Sequence, residues 1–111
     1  MSKYRFKTTG DFNQICRYIK DEILNTSASA SLEEEDYIMT SDSRIGILNF
    51  ERYSYSGGNR LSLNVTIVEN NHEITIIGMS SGGSNEVFFK FNTWGEDAFL
   101  DKLIEALDKL K

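Results

Sequence analysis

The chain contains no proline, although ordinary usage of about 5% would give five or six in 111 residues. That excludes proline-rich recognition segments and slow X–Pro isomerisation during folding. Cysteine is nearly absent as well. Cys16 stands alone, so no disulfide forms within the chain and an oxidising compartment is not implied. His72 is the only histidine, and without a second Cys or His nothing completes a zinc site. No apolar run approaches the roughly 18 residues of a membrane span. The opening MSKYRFKTTG lacks an apolar signal core, and Ser2 stands where myristoylation needs glycine. A cytoplasmic protein with no membrane attachment is expected. On that reading the triplets Asn25–Thr26–Ser27 and Asn64–Val65–Thr66 are chance matches to a glycosylation site.

What is present is the composition of a globular domain: 40% hydrophobic and 26% charged residues. A chain of this length folds as one domain, 1–111, and buries roughly 65% of its unfolded surface without needing disulfides or metals. The net charge of −5 suits solubility and argues against nucleic acid as a partner, because a nucleic-acid binder concentrates cations on one face. Lys3, Arg5 and Lys7 alternate with Tyr4 and Phe6, which puts three cations outward and two aromatics inward on a first strand. Three cations are too few for a nucleic-acid footprint.

Gly10–Asp11 ends that strand, and Asp11 with Gln14 opens a helix in the manner of a capping box. Phe12, Ile15, Cys16, Ile19 and Ile23 then fall on one helical face, predicting a helix over 11–25. Ala28, Ala30 and Leu32 alternate with serines as an edge strand does, the acidic run Glu33–Asp36 follows, and Tyr37–Met39 forms another short strand. Residues 45–55 are rich in branched and aromatic side chains and end at a Ser-Gly-Gly-Asn turn.

The clearest pair is LSLNVTIVE and HEITIIG around Asn70–Asn71. A two-residue turn there sets Glu69 against His72, Ile67 against Ile74 and Leu63 against Gly78. Leu61, Leu63, Val65, Ile67, Ile74 and Ile76 then share one face, the core. The other face carries polar residues but also Val68, Ile77 and Met79. A last strand, Val87–Phe91, is followed by the capping box Thr93–Trp94–Gly95–Glu96, with Trp94 anchoring the start of a second helix. The stripe Leu100, Leu103, Leu107 and Leu110, with Phe99, Ile104 and Ala106, extends that helix over 96–110. The expected architecture is α+β and two-layered: an antiparallel meander of five or six strands with both helices on one face.

Residues 78–86, GMSSGGSNE, hold the best chemical lead. A phosphate-binding loop needs Lys-Ser/Thr and a following helix N-terminus. Here the glycines lead into EVFFKF, so the segment reads as a long hairpin connection. A backbone nest at Ser81, Gly82 and Gly83 that holds a small anion is the alternative. His72 flanks a turn, away from any pocket that a hydrolytic triad would need. Cys16 lies on an apolar stripe and acts as a small hydrophobe. Glu33–Asp36 lacks the ligand spacing and glycine of a calcium loop and reads as a solvated charge run. Tyr53 and Tyr55, near Arg52 and Arg60, fit either a binding surface or sheet packing. No catalytic or metal-binding residue and no cofactor is assigned, although a carboxylate mechanism remains open.

Over its full length the chain resembles small stand-alone proteins of Gram-positive bacteria that belong to families of unknown function. The strand and DFNQICRYI helix at the start, the IIGMSSGGS stretch and the FNTWGEDAFLDKLIEAL ending carry the resemblance. It implies a cytoplasmic bacterial protein and transfers no catalytic residue. From the residues themselves the expected function is a non-enzymatic interaction module that forms a homodimer through Val68, Ile77 and Met79, joined by Phe88. Such residues would otherwise form an exposed apolar patch. The alternative is a small-ligand binder with a cavity between sheet and helices.

Overall fold

The computed structural model describes residues 2–53, 60–82 and 89–110, with the side chains of all of these except 89–98. The elements are β1 (Ser2–Thr9), α1 (Phe12–Leu24), β2 (Ser31–Met39), β3 (Ser43–Tyr53), β4 (Arg60–Asn70), β5 (Glu73–Gly82) and α2 (Phe89–Asp108). The strands form one sheet in the order β1-β5-β4-β3-β2, antiparallel throughout. Thus β2 to β5 make a meander, and β1 returns to pair with β5. This is the two-layer α+β architecture expected from the sequence. Both helices lie on one face: α2 packs on β1, β5 and β4, while α1 packs on β2, β3 and α2.

Alternation builds the inner face. Leu61, Leu63, Val65 and Ile67 of β4, with Ile74 and Ile76 of β5, are essentially inaccessible to solvent. Phe6 of β1 and Leu48 and Phe50 of β3 extend the same layer. The stripe of α1 (Phe12, Ile15, Cys16, Ile19, Ile23) and that of α2 (Phe99, Leu100, Leu103, Leu107) close over it. Each such side chain removed from water contributes roughly 1.5–3 kcal/mol, so these residues carry most of the fold's stability. The two helices are also tied to each other. The Tyr18 hydroxyl donates to the Ala106 carbonyl at 2.7 Å, and Lys109 pairs with Glu22 at 3.6 Å. Asp11 caps α1 by accepting from the Gln14 N–H at 2.9 Å.

Three local expectations are corrected. The β4–β5 turn is Asn71–His72, both at positive φ (53° and 69°), not Asn70–Asn71. Asn70 therefore pairs with Glu73 and Ile67 with Ile76. Either register keeps the same residues inward, because the slip moves the pairing by two and preserves the alternation. Second, β2 is one continuous edge strand through the acidic run, whereas Ala28 and Ala30 lie outside it. A bulge between Leu32 and Glu34 reverses the alternation partway along β2, so no single period describes the segment.

Third, Phe89–Phe91 belong to α2, not to a strand, and Thr93 lies inside that helix rather than capping it. Val87 and Phe88 lie outside the described residues. The physical reason is the sheet order: β5 is already paired on both sides, by β4 and β1, so a strand following it has no adjacent edge to join.

Candidate functional site

The face of the sheet turned away from the helices is the candidate site, and the register assembles it strand by strand. Arg5 lies beside Ile77, Ile77 beside Thr66, Thr66 beside Ile47 and Ile47 beside Asp36. One row away, Lys3, Met79, Asn64, Asn49 and Glu34 follow in the same order. On the other side run Lys7, Thr75, Val68, Ile45 and Ile38. The centre of the face is thus apolar. Ile45, Ile47, Val68 and Ile77 are half-buried by their neighbours, while Met79 (41%) and Ile38 (45%) are exposed. Among the described residues no element covers them.

Three polar residues at the centre of the face bond to one another. The Asn64 amide donates to Asn49 Oδ1 at 2.6 Å, and Thr66 donates to Asn64 Oδ1 at 3.1 Å. On the two edge strands the charges of this face differ in sign, Lys3, Arg5 and Lys7 along β1 and Glu34 and Asp36 along β2, while the inner strands add the Arg60–Glu51 pair and Glu73 toward their ends. The bulge is what sends those two carboxylates outward. It leaves Leu32 and Tyr37 on the helix side, where Tyr37 lies over Gly46 and makes an edge contact with Phe12. Glu35 faces inward too and pairs with Lys20 at 3.6 Å. The acidic run therefore splits between two faces and does not converge on a metal.

The same face holds a cavity of about 390 Å³, lined in part by Glu33, Glu34, Asn49, Ser62, Asn64 and Met79. It sits on the outer face of the sheet. Of the anion-nest residues, Ser81 and Gly82 are strand residues paired with Ser62 and Leu61, and Gly83 lies outside the described residues. A Cβ on Gly82 would come within 2.6 Å of the Arg60 carbonyl, so this glycine serves close strand approach. His72 is exposed in its turn. Cys16 is buried, which pushes its thiol up to about 11.

The structure places Val68, Ile77 and Met79 on the one face that the alternation indicated, and Phe88 lies outside the described residues. Sequence reading missed Ile38, Ile45 and Ile47 on that face, and the outward placement of Glu34 and Asp36. The isoleucines of β3 were legible in principle, because Ile45 and Ile47 alternate with Gly46 and Leu48. Tyr53 is exposed with the Arg60 guanidinium 5.9 Å from its ring, Arg60 also pairs with Glu51, and Arg52 turns the other way onto Phe99 at 4.7 Å. Arg52 and Arg60 therefore lie on opposite faces of the sheet, and Tyr55 lies outside the described residues.

Fold and surface together define an α+β protein with helices on one side of an antiparallel sheet and, on the other, a charge-flanked apolar face that no element among the described residues covers. The chain belongs to the family of unknown function DUF6054, which matches residues 1–111. Comparison with curated proteins gives no match. Among the described residues no helix is long and apolar enough to cross a membrane.

Proposed function

We propose that this protein is a non-enzymatic interaction module whose working form is a homodimer, joined through the outer face of the sheet. One observation carries the reading: among the described residues no element covers the apolar band from Met79 and Ile77 across Ile47 and Val68 to Ile45 and Ile38, while both helices pack on the opposite face. A second copy suits this face because its two edges carry opposite charge, so the surface complements itself. The lone, buried Cys16 accords with a cytoplasmic, bacterial setting, as does the family resemblance. Small-ligand binding is the second reading, favoured by the cavity of about 390 Å³ on the same face.

Sedimentation velocity on the parent chain and on Ile77→Lys tests the proposal. A lysine at the centre of the interface loses its hydration without gaining a partner, so dimer affinity should fall roughly 10- to 100-fold. The helical and sheet signals in circular dichroism should stay unchanged, since Ile77 faces away from the core. A parent chain that stays monomeric at hundreds of micromolar refutes the proposal. So does a dimer that Ile77→Lys leaves intact.

A further inference from the structure

Resting on the reading of the outer face as a homodimer surface, we infer that the two-fold axis runs along β4, so that the basic β1 edge of each copy lies over the acidic β2 edge of the other. The order β1-β5-β4-β3-β2 makes β4 the middle strand. Rotating one sheet by half a turn about that strand exchanges left and right and preserves height along the strands. Lys3 then faces Glu34 of the second copy, Arg5 faces Asp36, and Lys7 falls against Ile38. In the middle, Ile77 meets Ile47, and Thr66 and Val68 meet their own counterparts. Each row of the face is matched to itself.

The other symmetric way to stack two such sheets places the axis across the strands. That arrangement sets β1 on β1 and β2 on β2, cations on cations and carboxylates on carboxylates, where like charges repel. Intermediate axes miss both edges. The arrangement along β4 gives an aligned sandwich, the packing that twisted antiparallel sheets adopt with strands within about 30° of each other. The complete dimer is four layers deep: helices, sheet, sheet, helices.

Among the described residues these charges make no ion pair, and Asp36 Oδ1 accepts only the neighbouring Tyr37 N–H at 2.9 Å. The ion pairs among the described residues use Lys20, Arg44, Arg60, Lys102 and Lys109, and none of them uses Lys3, Arg5, Lys7, Glu34 or Asp36. Nor can these edges meet within one chain, since four strand spacings of about 4.8 Å separate them by roughly 19 Å. A second copy brings them together on both sides of the interface at once.

Two double variants decide it: Lys3→Glu with Arg5→Glu, and Glu34→Lys with Asp36→Lys. All four positions are exposed, so each variant should keep the parent's circular dichroism. Measured by sedimentation, each alone should dimerise roughly tenfold or more weakly than the parent. An equimolar mixture should recover parent-like affinity, because both edges of the mixed pair are complementary. Net charge provides the control. The first variant is more negative than the parent and the second nearly neutral, so general repulsion would weaken the first and strengthen the second. Loss in both, with rescue on mixing, supports the axis along β4. If Ile77→Lys weakens a parent dimer while the edge variants leave it unchanged or follow net charge, the axis is overturned and the homodimer stands. A monomeric parent overturns both.

Discussion

Cys16 is 3% exposed, on a helix that lies against Gly46 and Tyr37. Burial is the main cause of its raised thiol pKa, followed by the opposing effect of Lys20 and a smaller contribution from Glu35. Thiolate is the reactive form, so native Cys16 should label slowly with thiol reagents at neutral pH, at a rate that rises with denaturant as opening becomes frequent. Rapid stoichiometric labelling of the folded chain would contradict its burial. A thiol near 9 unfolded and about 11 folded also stabilises the fold below pH 9 and loses that effect as pH rises toward 11. Cys16→Ala should flatten the alkaline fall of the urea midpoint. It should not abolish it, because burial raises the Tyr18 and Tyr37 pKa values as well. Cys16 was legible from sequence because helical spacing fixes a face. The outward aim of Glu34 and Asp36 was not, because one extra residue at the bulge inverts every side chain beyond it.

At the scale of elements, the seating of α2 depends on a missing side chain. A Cβ on Gly78 would collide with Leu103 Cδ2 and lie 3.2 Å from Leu100 Cδ1. Leu103 is fully buried and has little room to yield. Gly78→Ala should therefore destabilise by about 1–3 kcal/mol through displacement of α2. In urea unfolding, adding Leu103→Ala should cost less in that background than in the parent, since it vacates the contested space. Additive losses would show that Gly78 and Leu103 are not coupled. The helix faces and the core faces of β4 and β5 could be read from period alone. The start of α2 could not: a short apolar run such as VFFKF fits strand or helix equally. What excludes a sixth strand there is the pairing of β1 with β5, a long-range contact that no local pattern reveals.

For the molecule as a whole, the absence of proline makes a kinetic statement. Refolding of the monomer should show no phase of tens of seconds that a prolyl isomerase accelerates, as stopped-flow fluorescence with and without the enzyme would show. An accelerated slow phase would sink this expectation, whereas a slow phase from dimer assembly would quicken with concentration. The position of β1 bears on the same process in the cell. Its partners in β5 lie 64 to 78 positions further along the chain, from Thr9 with Glu73 to Ser2 with Ser80. A ribosome adding roughly 5–20 residues per second needs about 4–15 s to cover that distance. For those seconds the nascent chain carries Tyr4 and Phe6 with nothing to cover them. When β5 first emerges, its far side is an unpaired strand edge open to any other extended segment. Through that interval the like charges of Lys3, Arg5 and Lys7 disfavour pairing of β1 with a second copy of itself.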